Sequence, residues 1–130
     1  MYTLPDDFDF RLLAGCYLEM VCFGVNVTRL DFSRPQAAPG IPPYKVSFCV
    51  EAGLMYQVNG VSGEREFTNS STSAPLLDFL LKDVVSVEVV EIATLQILFS
   101  SDDKIVVVAD PGTDYESYTI YLDSGDVVVV

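Results

Sequence analysis

The side chains with the most chemical capacity are carboxylates, and they crowd the last third of the chain. Asp102, Asp103, Asp110, Asp114, Glu116, Asp123 and Asp126 all fall there. Several oxygens converging from one loop hold hard cations such as Ca²⁺, and Asp110-x₃-Asp114-x-Glu116 offers three such side chains. The spacing does not match an EF-hand loop. These acids occupy the polar breaks between apolar runs, Ser100–Lys104, Asp110–Asp114 and Asp123–Asp126, where solvated Asp is ordinary turn chemistry. No metal is expected.

Glu116 stands apart from the other acids. In Tyr115–Leu122 (YESYTIYL) it shares strand parity with Tyr118, Ile120 and Leu122. If those three point inward, Glu116 enters or rims the core. A carboxylate there needs hydrogen bonds or a cation such as Arg11, Arg29 or Lys104. Tyr115 and Tyr121 take the opposite face, among acids. Tyr offers large contact area at small entropic cost, so this is a protein-binding type of surface. The candidate binding residues are Asp114, Tyr115, Glu116, Tyr121 and Asp123, with the Pro-rich loop Arg34–Pro43 beside them as an exposed recognition element or a plain hairpin connection.

Nucleophilic catalysis finds no support. Ser70, Ser71 and Ser73 have no base, because the chain contains no His and no G-x-S-x-G elbow. Cys16, Cys22 and Cys49 likewise lack a base and form no C-x-x-C pair. Gly60-Val-Ser-Gly63 lacks the Lys of a phosphate loop. We expect no enzyme, no catalytic residue and no cofactor.

The net charge is −12, from 19 acids against 7 bases. Such a field repels nucleic acid and anionic membranes, which are bound through Lys and Arg, and attracts a basic partner. It also keeps so apolar a chain in solution. Half of the residues are hydrophobic, ample for one core in a single domain. An odd number of cysteines in apolar runs fits reduced thiols. The N-terminus lacks the basic region of a signal peptide, and no apolar run approaches the ~20 residues of a membrane span. A soluble, cytoplasmic protein is the expectation.

The elements that must position these residues are mostly strands. Cys16–Phe23, Val25–Phe32, Tyr44–Glu51, Leu54–Val58, Val84–Ile92 and the closing runs from Ala93 to Val130 carry period-2 patterns or β-branched runs bounded by turn residues. Asn59-Gly60 is a tight-turn signal, and Val61–Thr68 reads as a ragged edge strand. Residues 1–11 read as an irregular arm pinned by Phe8 and Phe10. Pro75–Lys82 is the one helix expected, packed on a sheet by its leucines.

An internal likeness suggests a repeat. Leu30 and Phe32-Ser33 resemble Ile97 and Phe99-Ser100, and Lys45–Gly53 (KVSFCVEAG) resembles Lys104–Gly112 (KIVVVADPG). The expected fold is therefore α+β, mostly β. It has about eight antiparallel strands in two pseudo-repeated meanders, residues 12–68 and 76–130, as a curved sheet, sandwich or partly open barrel with one short helix packed on it.

Phe8-Asp9-Phe10 before Leu13-Ala14-Gly15, the Leu30-x-Phe32-Ser33 run, and Asp114-Tyr115-Glu116-Ser117-Tyr118 before a last strand pair resemble an uncharacterised family of small bacterial β-rich proteins. Some such proteins are similar to immunity proteins encoded beside secreted toxins. The resemblance rests mainly on residues 93–122 and implies no catalytic residues. The first functional expectation is a non-enzymatic, immunity-type inhibitor of a basic protein partner. A small-ligand binder with a cavity between sheet and helix is the alternative. A homodimer joined through the edge strand Val127–Val130 is the third.

Overall fold

Turn chemistry lays down the path of the chain. Asn59 and Gly60 both adopt positive φ, 51° and 79°, the two-residue hairpin turn that Asn-Gly favours. It joins Leu54–Val58 to Val61–Glu64, with Val58 opposite Val61. Gly125, at φ 92°, serves the turn between Tyr118–Tyr121 and Val127–Val129. The computed structural model describes residues 3–110, 112 and 115–130.

Ten strands form where the alternation predicts strands. They are β1 (Tyr17–Phe23), β2 (Thr28–Arg34), β3 (Tyr44–Val50), β4 (Leu54–Val58) and β5 (Val61–Glu64), then β6 (Val84–Glu91), β7 (Thr94–Phe99), β8 (Lys104–Val107), β9 (Tyr118–Tyr121) and β10 (Val127–Val129). They make two five-stranded antiparallel sheets. The first sheet runs β1-β2-β3-β9-β10 and the second β5-β4-β8-β7-β6. Neither closes into a barrel. Among the described residues the chain is thus mostly β, with ten strands rather than about eight.

The sheet order carries a correspondence in steps of five. Read from its other edge, the second sheet is β6-β7-β8-β4-β5, which is the first sheet with every strand moved five places round the chain. Each half keeps its three-stranded meander and lends its last hairpin to the other half's sheet. Two four-stranded meanders are not what forms. Residues 12–68 carry β1–β5, and residues 76–130 carry β6–β10. The register also separates the two sequence likenesses. Leu30 faces Phe48 and Ile97 faces Ile105, so matching Leu30 to Ile97 matches Phe48 to Ile105. Matching Lys45 to Lys104 sends Phe48 to Val107 instead. The two differ by two residues, a slip that preserves which face is inward.

Inward parity is consistent across both sheets. Leu30 and Phe32, Val46, Phe48 and Val50, Leu54, Tyr56 and Val58, Leu95, Ile97 and Phe99, and Tyr118 and Ile120 enter a single core. Phe32 meets Phe48 edge-on at 5.7 Å between ring centroids, and Phe48 stacks with Tyr118 at 6.5 Å. The Tyr118 hydroxyl donates to the Ala93 carbonyl oxygen at 2.5 Å. This bond ties β9 of the first sheet to the β6–β7 turn of the second.

The helix differs from the expectation. Residues 70–72 and 74–79 form short 3₁₀ turns rather than an α-helix over Pro75–Lys82. Leu76 and Phe79 are buried, but Leu77, Leu80 and Leu81 are exposed. With three residues per turn, positions three apart line up, so only one narrow stripe reaches the core. Leu81 adopts φ 67° and its N–H bonds the Leu18 carbonyl. The helical stretch has already ended at Phe79, because Leu80 leaves the helical conformation with ψ 136°.

The expected arm is partly right. Phe8 packs against the core, while Phe10, edge-to-face with it at 5.0 Å, stays 41% exposed. Turns continue to Gly15 and bury Leu12 and Leu13.

Candidate functional site

The groups most able to do covalent chemistry are placed where they react poorly. Cys16 is buried, and burial pushes its thiol pKa up despite the opposing effect of Arg34. Burial likewise raises that of Cys49. Less thiolate means a weaker nucleophile. The Ser71 hydroxyl donates to Asn69 Oδ1, and the Ser73 hydroxyl accepts from Arg65 Nε at 3.0 Å. Among the described residues, no three Cys, Asp or Glu side chains converge as a metal site.

Five of the seven basic side chains are engaged within the molecule. Arg29 pairs with Asp31 at 3.2 Å, Lys45 with Glu19 at 3.6 Å, and Lys82 with Asp103. Asp103 also accepts from the Asn59 N–H and the Ser101 hydroxyl. The bond from Lys82 is the largest of the influences that hold its carboxyl below the usual range. Arg34 lies over the Tyr44 ring at 4.2 Å and donates from Nε to the Ala14 carbonyl. Arg65 is buried with neutral acceptors only: the Gly24 and Val27 carbonyls, Thr28 Oγ1 and Ser73 Oγ. Most of the acidity is therefore left facing solvent.

Two concavities collect it, one at each end of β9. The larger, about 460 Å³, lies between the N-terminal arm and the β9–β10 hairpin. Asp7, Asp9, Asp123 and Asp126 line it, over an apolar floor that includes Phe8, Leu12, Tyr44 and Leu122. No Lys or Arg lines it. The Tyr44 hydroxyl is anchored on the Leu12 carbonyl at 2.7 Å. Its pKa is raised, first by burial and then by nearby acidic groups that include Asp123 and Asp9. Asp123 is held in place by the Lys45 N–H, which donates to its Oδ1 at 3.0 Å. The smaller concavity, about 380 Å³, is lined by Glu51, Asp110, Tyr115 and Glu116 beside Asn26.

The sequence-predicted residues divide between these places. Tyr115, 80% exposed, and Glu116 stand at the entrance to β9. Tyr121 stands on the outward face of β9, opposite Ser47 and Val127. Asp123 belongs to the other end, so the five residues do not form one cluster. Asp114 lies outside the described residues. Glu116 does not enter the core: β9 begins only at Tyr118, and the alternation read back from Tyr118 does not extend to position 116. It pairs with none of Arg11, Arg29 and Lys104.

Sequence reasoning missed Asp7, Asp9 and Tyr44. The acidic arm was visible, but its approach to the β9–β10 turn depends on a contact across most of the chain. The Pro-rich connection Arg34–Pro43 is largely exposed and lies outside both concavities. Four concavities among the described residues are open to solvent, and none of these four lies between the helical stretch and a sheet.

Fold and surface together define an α+β, mostly-β protein of two antiparallel sheets bearing acidic, open grooves. Among the described residues, no helix is long and apolar enough to cross a membrane. No family, no curated protein and no solved structure matches the chain. The likeness to small bacterial β-rich proteins therefore rests on the quoted residues alone.

Proposed function

We propose that this is a non-enzymatic protein-binding domain that receives a basic segment of a partner protein, in the manner of an immunity-type inhibitor. The observation that carries the reading is the groove at the far end of β9, with four Asp side chains over an apolar floor and no basic side chain in its lining. A Lys or Arg side chain matches both features: its stem covers apolar surface while its head meets carboxylate. The consumption of bases inside the molecule supports the same reading, because it leaves a field that steers cationic partners. Three free thiols fit a reducing, cytoplasmic setting.

The test is titration of the whole chain with a Lys- and Arg-rich peptide, and with a Glu-rich peptide of equal length, at low and high salt. Binding of the basic peptide alone, weakened by salt and by the pair Asp123→Asn and Asp126→Asn, supports the reading. Binding that is absent at low salt, or unaffected by the paired substitution, overturns it.

A further inference from the structure

The eight-residue strand β6 is one edge of the second sheet. Its inner side pairs with β7. At the start of its outer side, the Val84 N–H donates to the Cys16 carbonyl. From Ser86 to Glu91 no backbone group bonds outward among the described residues. That stretch offers about 20 Å of unused ladder. Val85, Val89 and Val90 are about half exposed or more, and Ile92 in the following turn is 73% exposed.

The other edges are less open. The outer side of β1 is tied to residues 81–84 through Leu18 and Cys16. β10 has three residues, and the next residue, Val130, bonds back to Ser117 and Tyr118. β5 has four.

Main-chain pairing accepts any sequence, so side-chain charge decides which strand an open edge takes. Glu88 and Glu91 on β6 are exposed, and neither β6 nor β7 contains a Lys or Arg. The whole chain carries a net charge of −12. A second copy laid antiparallel on this edge sets acids near acids, which opposes self-pairing. A strand bearing Lys or Arg meets the same acids favourably. A slot of about 310 Å³ separates Val84–Glu88 from the arm, with Phe10, Leu13 and Ala14 in its lining. Arg11 is the one base that lines it. The slot therefore suits apolar residues, and the half of the edge from Glu88 to Glu91 suits cations.

We infer that β6 receives an extended cationic segment of a partner protein as a sixth strand of the second sheet. Main-chain hydrogen bonds along Ser86–Glu91 hold it, β-branched residues enter the slot, and Lys or Arg faces Glu88 and Glu91. This surface is separate from the groove at the far end of β9 and uses none of its acids.

Amide hydrogen exchange of the whole chain tests it, with a peptide of about eight residues alternating Val and Lys. The peptide slows exchange within Ser86–Glu91. A peptide alternating Val and Glu does not. The Val-Lys peptide with Pro at its two central positions does not either, because it cannot continue a ladder. Glu88→Lys with Glu91→Lys weakens binding of the Val-Lys peptide about tenfold or more, by setting like charges together. Both positions are exposed, and thermal unfolding checks that the variant remains folded. Asp123→Asn with Asp126→Asn leaves the protection of β6 intact. Exchange in β6 unchanged by the Val-Lys peptide, or slowed equally by the Pro-containing one, overturns the inference. So does full binding to the Glu88→Lys, Glu91→Lys variant, or protection lost with Asp123→Asn and Asp126→Asn. Dimerisation of the chain alone through β6, seen as protection of Ser86–Glu91 that grows with protein concentration, also overturns it.

Discussion

Arg65 Nη1 donates to Thr28 Oγ1 at 2.6 Å, across the gap between the loop after β5 and the start of β2. The same guanidinium reaches the Gly24 and Val27 carbonyls and Ser73 Oγ, and lies over Phe67 at 4.7 Å and Phe23 at 5.0 Å. One side chain thus fastens the β1–β2 turn of the first sheet to the helical stretch that follows the second sheet's edge. Burial lowers its pKa, and no carboxylate offsets this. Replacing Arg65 by Ala leaves several acceptors unmatched. The expected loss is about 3 kcal/mol, read by urea unfolding. Arg65→Lys recovers only part of it, since a single ammonium cannot reproduce the planar fork.

Asp103 gives the fold a defined acid dependence. Its folded-state pKa lies below the usual carboxylate value, chiefly through the Lys82 bond. Its contribution is complete above the unfolded value, about 3.9, and disappears as pH falls through the folded value. Asp103→Asn should therefore cost about 2 kcal/mol at neutral pH, where Lys82 loses its partner. Wild type and variant should converge in acid unfolding curves once pH has fallen below the depressed folded-state value.

Gly63 is packed against Tyr56. A Cβ at position 63 would meet the Tyr56 hydroxyl at 2.8 Å and its ring carbon Cζ at 3.0 Å. That hydroxyl is itself fixed by donating to the Thr72 carbonyl at 2.7 Å. Gly63→Ala should cost about 1–3 kcal/mol by overpacking. Tyr56→Phe should cost about 1 kcal/mol for the lost bond. The double variant should cost less than the sum, because the hydroxyl that obstructs the methyl is gone. Chemical denaturation of the four proteins measures the coupling.

Tyr118→Phe removes the bond to the Ala93 carbonyl and leaves that acceptor buried with one partner fewer. A loss of about 1–2 kcal/mol is expected, with faster hydrogen exchange in β9 and in the β6–β7 turn together. Exchange that changes in β9 alone would show that the two sheets do not communicate through this contact.

The two ends of β9 should contribute differently to capture of a basic peptide. Asp123→Asn with Asp126→Asn should slow association several-fold and reduce its salt dependence, since these acids line the groove with the apolar floor. Glu116→Gln should have a smaller effect, because its concavity lacks such a floor. Stopped-flow association rates at two salt concentrations separate them.

Much of this was legible in the residues themselves. Alternation put Tyr118 and Ile120 on one face, the face the structure buries, because a strand turns its side chains to opposite faces at every step. Asn59-Gly60 specified its hairpin through the positive φ that both residues tolerate. Glu116 stays outside the core because parity holds only while a strand continues, and β9 starts two residues later. The helix was misjudged because a leucine-rich octet does not reveal whether three or 3.6 residues make a turn.

The sequence by itself determined the strands, their inward faces, the tight turns and the acidity, since each depends on neighbours within a few residues. Only the tertiary structure decided which hairpin joins which sheet. β4–β5 and β9–β10 carry the same alternation as the strands they leave behind, so local pattern cannot choose between them. The choice rests on burying one shared core between distant segments. That same long-range packing brings Asp7 and Asp9 beside Asp123 and Asp126, and sets Arg65 against Thr28.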